Sequence, residues 1–160
     1  MDEIKLGNIY HKIAQTVIET IPEEWSKVFV YGEIGDDVRT AFFYYYPSND
    51  NMPIHSHNIP NLFNMDTEEY KTLWRQLLDD FEELWYEFKN SGQELWTNVT
   101  FIFDSTGEFK VDYNYEDLSD ADDYERRIIW KHKYLGLIPE DDDDREFLEE
   151  YLKSIEDKTE

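Results

Sequence analysis

The chain has 160 residues, with 38 Asp and Glu against 15 Lys and Arg, a formal net charge of −23, and 17% aromatic residues. That length suits one domain with a buried core, residues 1–160, and five Trp with twelve Tyr exclude a disordered acidic tail. The acid excess excludes direct nucleic-acid binding, which rests on Lys and Arg releasing counterions, and points instead to a basic partner.

Cysteine is absent. So are an apolar run of about 18 residues and a signal-peptide core at the acidic N-terminus, and together these point to a cytoplasmic protein with no membrane contact. The formal glycosylation match Asn98-Val99-Thr100 then carries no meaning.

Along the chain, residues 3–21 place Leu6, Ile9, Tyr10, Ile13, Ala14, Val17 and Ile21 on one side of a helix that Pro22 ends. From Trp25 to Ile34 the period changes to two, and Gly35-Asp36-Asp37 supplies turn chemistry before Val38 to Tyr46, which predicts a β-hairpin. The run Ala41 to Tyr46 is aromatic on both faces, as in a central strand or one whose second face is covered. Pro47 to Met65 reads as a loop holding a short edge strand, Ile54 to Asn58, bounded by Pro53 and Pro60.

Asp66 to Gly92 is the most periodic stretch. Tyr70, Leu73, Trp74, Leu77, Leu78, Phe81, Leu84, Trp85 and Phe88 fall within an arc of about 140°, the stripe of an amphipathic helix about 39 Å long. Asp66 and Glu69 are spaced as a capping box, and Gly92 is the stop signal. Behind the stripe, Glu69, Asp80, Glu83 and Glu87 line up as an acidic strip, with Tyr86 among them.

Trp96 to Phe103 and Phe109 to Tyr115 form a second hairpin around Asp104-Ser105-Thr106-Gly107. Ser119 with Asp122 caps a helix through Tyr124, Ile128 and Leu135 that closes at Gly136. Phe147, Leu148, Tyr151, Leu152 and Ile155 mark a last helix, with Asp141, Asp142, Asp143 and Asp144 in its first turn. The expected fold is α+β: an antiparallel sheet of four to five strands from two hairpins, packed by the long helix, an N-terminal helix and two C-terminal helices.

Chemistry has little to stand on. With 38 acids, carboxylate pairs arise by chance and read as a solvated face rather than a catalytic dyad. Asp141 to Asp144 lacks the Gly and the twelfth-position Glu of a calcium loop. His55 and His57 suit zinc by spacing, but no third His or Cys lies nearby, so no metal is assigned. No nucleophile elbow or glycine-rich phosphate loop occurs, and neither an enzyme nor a cofactor is expected.

Acid instead gathers in three places: the helical strip; Glu116, Asp117, Asp120, Asp122, Asp123 and Glu125; and Glu140 to Asp144. Such a surface imitates nucleic acid toward a basic protein, or serves solubility alone. Arg126, Arg127, Lys131 and Lys133, around Trp130 and His132, read as internal neutralisation.

The chain also resembles the EsaG/YezG-type immunity proteins, antitoxins of bacterial nuclease toxins carrying LXG-type or type VII secretion targeting. The likeness rests on Ile21-Pro22-Glu23-Glu24-Trp25, Phe42-Phe43-Tyr44-Tyr45, Leu73-Trp74 through Phe81-Glu82-Glu83-Leu84 and Glu94-Leu95-Trp96-Thr97. It continues through Phe101-Ile102-Phe103, Gly107 to Val111, Tyr113-Asn114-Tyr115 and Trp130 to Pro139, in preserved order over nearly the full length. The resemblance implies a non-catalytic inhibitor that binds the C-terminal nuclease domain of a cognate toxin in the cytoplasm. Glu69, Asp80, Glu83, Glu87, Asp117, Asp120, Asp122, Asp123 and Asp141 to Asp144 then become toxin-binding candidates, with Tyr86 and Trp130 as exposed aromatic anchors. Two rival readings are a generic acidic DNA mimic or adaptor for another basic protein, and a small metal-dependent enzyme whose metal would be held by His55 and His57.

Overall fold

A computed structural model describes residues 1–159, with side chains through residue 157. The chain divides into two compact units, Met1–Glu116 and the segment from Asp117 onward.

In the first unit, helix α1 (Glu3–Thr20) starts at Asp2, whose carboxylate accepts from the Ile4 and Lys5 amides at 3.0 and 3.3 Å. Strands β1 (Trp25–Ile34) and β2 (Arg39–Pro47) make the first hairpin. The expected loop holds more than a strand. β3 is only Ile54–His55, followed by a 3-10 turn at Ser56–Asn58 and helix α2 (Ile59–Phe63), because Pro60 fixes a φ suited to a first helical turn. Helix α3 (Thr67–Asn90) precedes the second hairpin, β4 (Asn98–Asp104) and β5 (Phe109–Asn114).

The five strands form one antiparallel sheet in the order β3-β2-β1-β4-β5. β1 is the central strand, and β2 lies one place from the edge. The fold is α+β. The register sets Tyr45, Val28, Phe103 and Phe109 in one row across the sheet, Phe43, Val30, Phe101 and Val111 in the next, and Ala41, Gly32, Val99 and Tyr113 in the third. Apart from Phe109, which is exposed on the edge strand, the apolar members of these rows form one core with Ile9, Ile13 and Val17 of α1 and Leu77, Phe81, Leu84 and Phe88 of α3. On the opposite face Phe29, Tyr31 and Phe42 are buried as well, with Phe42 stacked on Tyr31 at 5.0 Å between ring centroids.

The capping box at α3 does not form. Asp66 makes no side-chain cap bond, and Glu68 and Glu69 in the first turn supply the negative charge that the positive end of the helix dipole favours. The stop is at Gly92, whose φ of 69° suits a residue without a side chain.

The second unit holds α4 (Asp123–Leu135) and α5 (Asp142–Thr159). Asp122 caps α4 by accepting from the Glu125 amide at 3.0 Å. Ser119 is not part of that cap; its own amide donates to Asp117, two residues earlier, at 3.0 Å. Gly136, left-handed at φ 67°, ends α4. Tyr124, expected on the apolar stripe of α4, is 64% exposed.

Candidate interaction surfaces

On the back of α3 the expected strip splits. Glu69 is exposed and Tyr86 is 49% exposed, but Asp80 and Glu87 are buried, at 2% and 7% exposure. The cause is α1, which runs beside α3 and covers part of its polar flank. Thr16 donates to Asp80 at 2.7 Å and Gln76 donates to its other oxygen at 2.8 Å. Lys5 pairs with Glu87 at 2.9 Å, and Lys12 meets both oxygens of Glu83 at 3.0 and 3.1 Å. Burial raises the Asp80 pKa above the ordinary carboxylate range, against the two hydrogen bonds that lower it. These acids therefore fasten α1 to α3. Half of the strip belongs to the fold, leaving Glu69, Tyr86 and the half-exposed Glu83 at the surface.

The second unit arranges its acids differently. Asp117, Asp120, Asp122 and Asp123 are exposed, as are Asp141, Asp142 and Asp143. Sequence separates the two groups by about one helix length. Tyr124, in the first turn of α4, donates to the carboxylate of Asp144, in the first turn of α5. That bond brings the two helix starts together. Asp122 caps α4, and Asp141 accepts from the Asp144 amide at 3.0 Å at the start of α5. Acid at a helix N-terminus is favoured by the dipole, which explains how so many like charges are held in one place.

The Asp117 pKa lies below the usual range because the Ser119 amide bonds to its charged form. Compensation is partial: Arg126 pairs with Asp123 at 3.1 Å and Arg145 with Asp142 at 3.2 Å. The segments Asp117 to Glu125 and Glu140 to Asp144 hold ten carboxylates between them.

Trp130, expected as an exposed anchor, is 8% exposed and packs on Tyr134 at 5.4 Å between centroids. Tyr124 is the aromatic that lies exposed among the acids. Sequence pattern missed it because its spacing to Ile128 matches an apolar stripe.

The His pair is structural. His57 Nδ1 lies 2.6 Å from the Tyr70 hydroxyl, and the His57 amide donates to His55 Nδ1 at 3.0 Å. Among the described residues, no three His, Cys, Asp or Glu are grouped to hold a metal ion, and no helix is long and apolar enough to cross a membrane.

Fold and surface together define a small acidic α+β protein with its charge gathered outside the core. Residues 6–149 match the profile of the YezG-like immunity proteins. The chain is 42% identical over 160 residues to Immunity protein YezG of Bacillus spizizenii, covering 99% of each chain. It is 42% identical over 149 residues to Immunity protein YezG of Bacillus subtilis, covering 92% of this chain and 99% of the relative. It is 34% identical over 160 residues to Type VII secretion system protein EsaG of Staphylococcus aureus, covering 96% of this chain and 98% of the relative. The chain belongs to the YezG-like family of immunity proteins. Membership supports an immunity role and implies a cognate toxin as partner.

Proposed function

We propose that this immunity protein neutralises a cognate secreted nuclease toxin, binding its C-terminal nuclease domain in the cytoplasm through the acidic surface at the starts of α4 and α5. The observation that carries the reading is the convergence of two acidic segments, fastened by Tyr124 and Asp144, into one exposed anionic face. A nuclease presents basic groups to phosphate, so an anionic face gains encounter rate toward it and competes for the same groups. The type VII secretion named for the staphylococcal relative supports a secreted target. Tyr124 supplies the aromatic contact that charge alone lacks. Asp117, Asp120, Asp122, Asp123 and Asp141 to Asp144 carry the charge, with Glu69, Glu83 and Tyr86 as a second, smaller strip.

Co-expression of the chain with the C-terminal domain encoded by the neighbouring large gene tests this. The expected result is that the domain alone stops growth and degrades nucleic acid, and that the chain restores growth and co-purifies with it. A domain without nuclease activity that still binds the chain would favour the acidic-adaptor reading. Failure to rescue and to co-purify would overturn the proposal.

A further inference from the structure

At the far end of α1 the chain builds a groove that the acidic faces do not include. Ile18, Ile21, Pro22 and Trp25 line it with Glu23 and Glu24, over about 750 Å³. Its walls are tied down. The Ser48 amide donates to the Glu24 carbonyl at 3.1 Å, and the Ser105 amide to the Ser26 carbonyl at 2.9 Å, which joins the start of β1 to the end of β2 and to the β4–β5 turn. Trp25 is held edge-on against Phe103, with ring centroids 5.5 Å apart. Ile18 remains 37% exposed, a branched apolar side chain left at the lip.

The electrostatics of this end are one-sided. Glu19 lies in the last turn of α1, which carries no basic residue, so the negative end of the dipole meets further acid from Glu23 and Glu24. Glu23 accepts from the Tyr45 hydroxyl at 2.6 Å through one oxygen. Glu24 is exposed and has no ion-pair partner among the described residues. An apolar lining with an indole, shared with two carboxylates near a helix C-terminus, is complementary to one kind of side chain. A guanidinium stacks on an aromatic face, forks to carboxylates and carries an apolar stem, whereas an ammonium is a compact and strongly hydrated charge.

We propose that this groove seats an arginine side chain of the toxin, with the stem over Ile18 and Trp25 and the guanidinium at Glu23 and Glu24. This rests on the toxin-binding reading and adds a contact in the first unit.

Two measurements test it. In the first, Glu24→Lys and Ile18→Lys, each checked by thermal melting to be folded, are titrated against the toxin domain. The expected loss of affinity is about 10- to 100-fold, the range for removing a hydrogen bond to a charged group. Wild-type affinity in both variants would overturn the proposal and leave the proposed function standing. In the second, capped Gly-Arg-Gly, Gly-Lys-Gly and Gly-Leu-Gly peptides are added to the chain alone while the Trp25 indole N–H resonance is followed. The arginine peptide should move that resonance saturably and more strongly than the lysine peptide, and Glu24→Lys should abolish the effect. An equal response to the leucine peptide, or a response that survives Glu24→Lys, would overturn the groove as an arginine site. If the wild-type chain does not bind the toxin domain, the proposed function fails, and the peptide measurement alone decides whether the groove takes arginine.

Discussion

Gly32 lies in the middle of the central strand, where glycine ordinarily weakens a sheet. A methyl group there would sit 2.5 to 2.7 Å from three ring carbons of Phe81, so the glycine is required by the approach of α3. Gly32 pairs with Ala41 in the hairpin, and the missing side chain at Gly32 leaves the room that the Phe81 ring fills. Gly32→Ala should destabilise the fold by about 1–3 kcal/mol, as overpacking does, read as a lower urea midpoint at an unchanged slope. Sequence flags such a glycine as a place of close approach without naming what approaches.

Asp80 makes the second residue-scale case. Thr16 has one hydroxyl hydrogen for two acceptors, the Lys12 carbonyl at 3.0 Å and Asp80 at 2.7 Å. The carboxylate is buried among Thr16, Gln76, Lys12 and Glu83, and its pKa is raised. A raised carboxylate pKa means that the folded state holds the proton more tightly than the unfolded state. Stability from this group is therefore present at low pH and lost as pH climbs from the unfolded value through the folded one. Asp80→Asn removes the buried charge and lets an amide donate to Thr16, whose hydrogen then serves Lys12. Urea unfolding of both proteins at about pH 3.5, below the ordinary carboxylate value, and at pH 7 should show the variant relatively more stable at pH 7. A constant difference at the two pH values would refute the burial account.

At the scale of elements, the α1–α3 pair explains both what was legible and what was not. The apolar arc of α3 was readable because helical periodicity reports the wide face that meets a sheet, and Leu77, Phe81, Leu84 and Phe88 are buried as the arc requires. Asp80 and Glu87 misled, because they sit beside that arc and α1 is the element that covers them. A helical wheel shows angle and says nothing of a second neighbour. The hairpins were legible for a related reason: period two and turn residues are local signals, and the cross-sheet rows follow from them. Leu84→Ala should cost about 2–5 kcal/mol, as expected for a fully buried leucine. Tyr86→Ala, on the same helix and half exposed, should leave the melting midpoint unchanged while weakening toxin binding, read by titration against the toxin domain.

Across the whole molecule, the net charge of −23 was plain from composition, but its distribution was not. Sequence showed two acidic segments, and only the fold reveals that the Tyr124–Asp144 bond makes them neighbours. Charge gathered this way acts over a Debye length of about 8 Å at physiological salt, so added salt should slow association with the toxin far more than it speeds dissociation.

In the proposed complex this face meets the nuclease domain. The most direct test of that contact is the association rate of the purified chain with that domain, for wild type and for a variant with Asp117, Asp120 and Asp123 changed to Lys. The variant should stay folded, associate at least about tenfold more slowly at low salt, and lose most of the wild-type salt dependence. An association rate equal to that of wild type at every salt concentration would contradict the proposed contact.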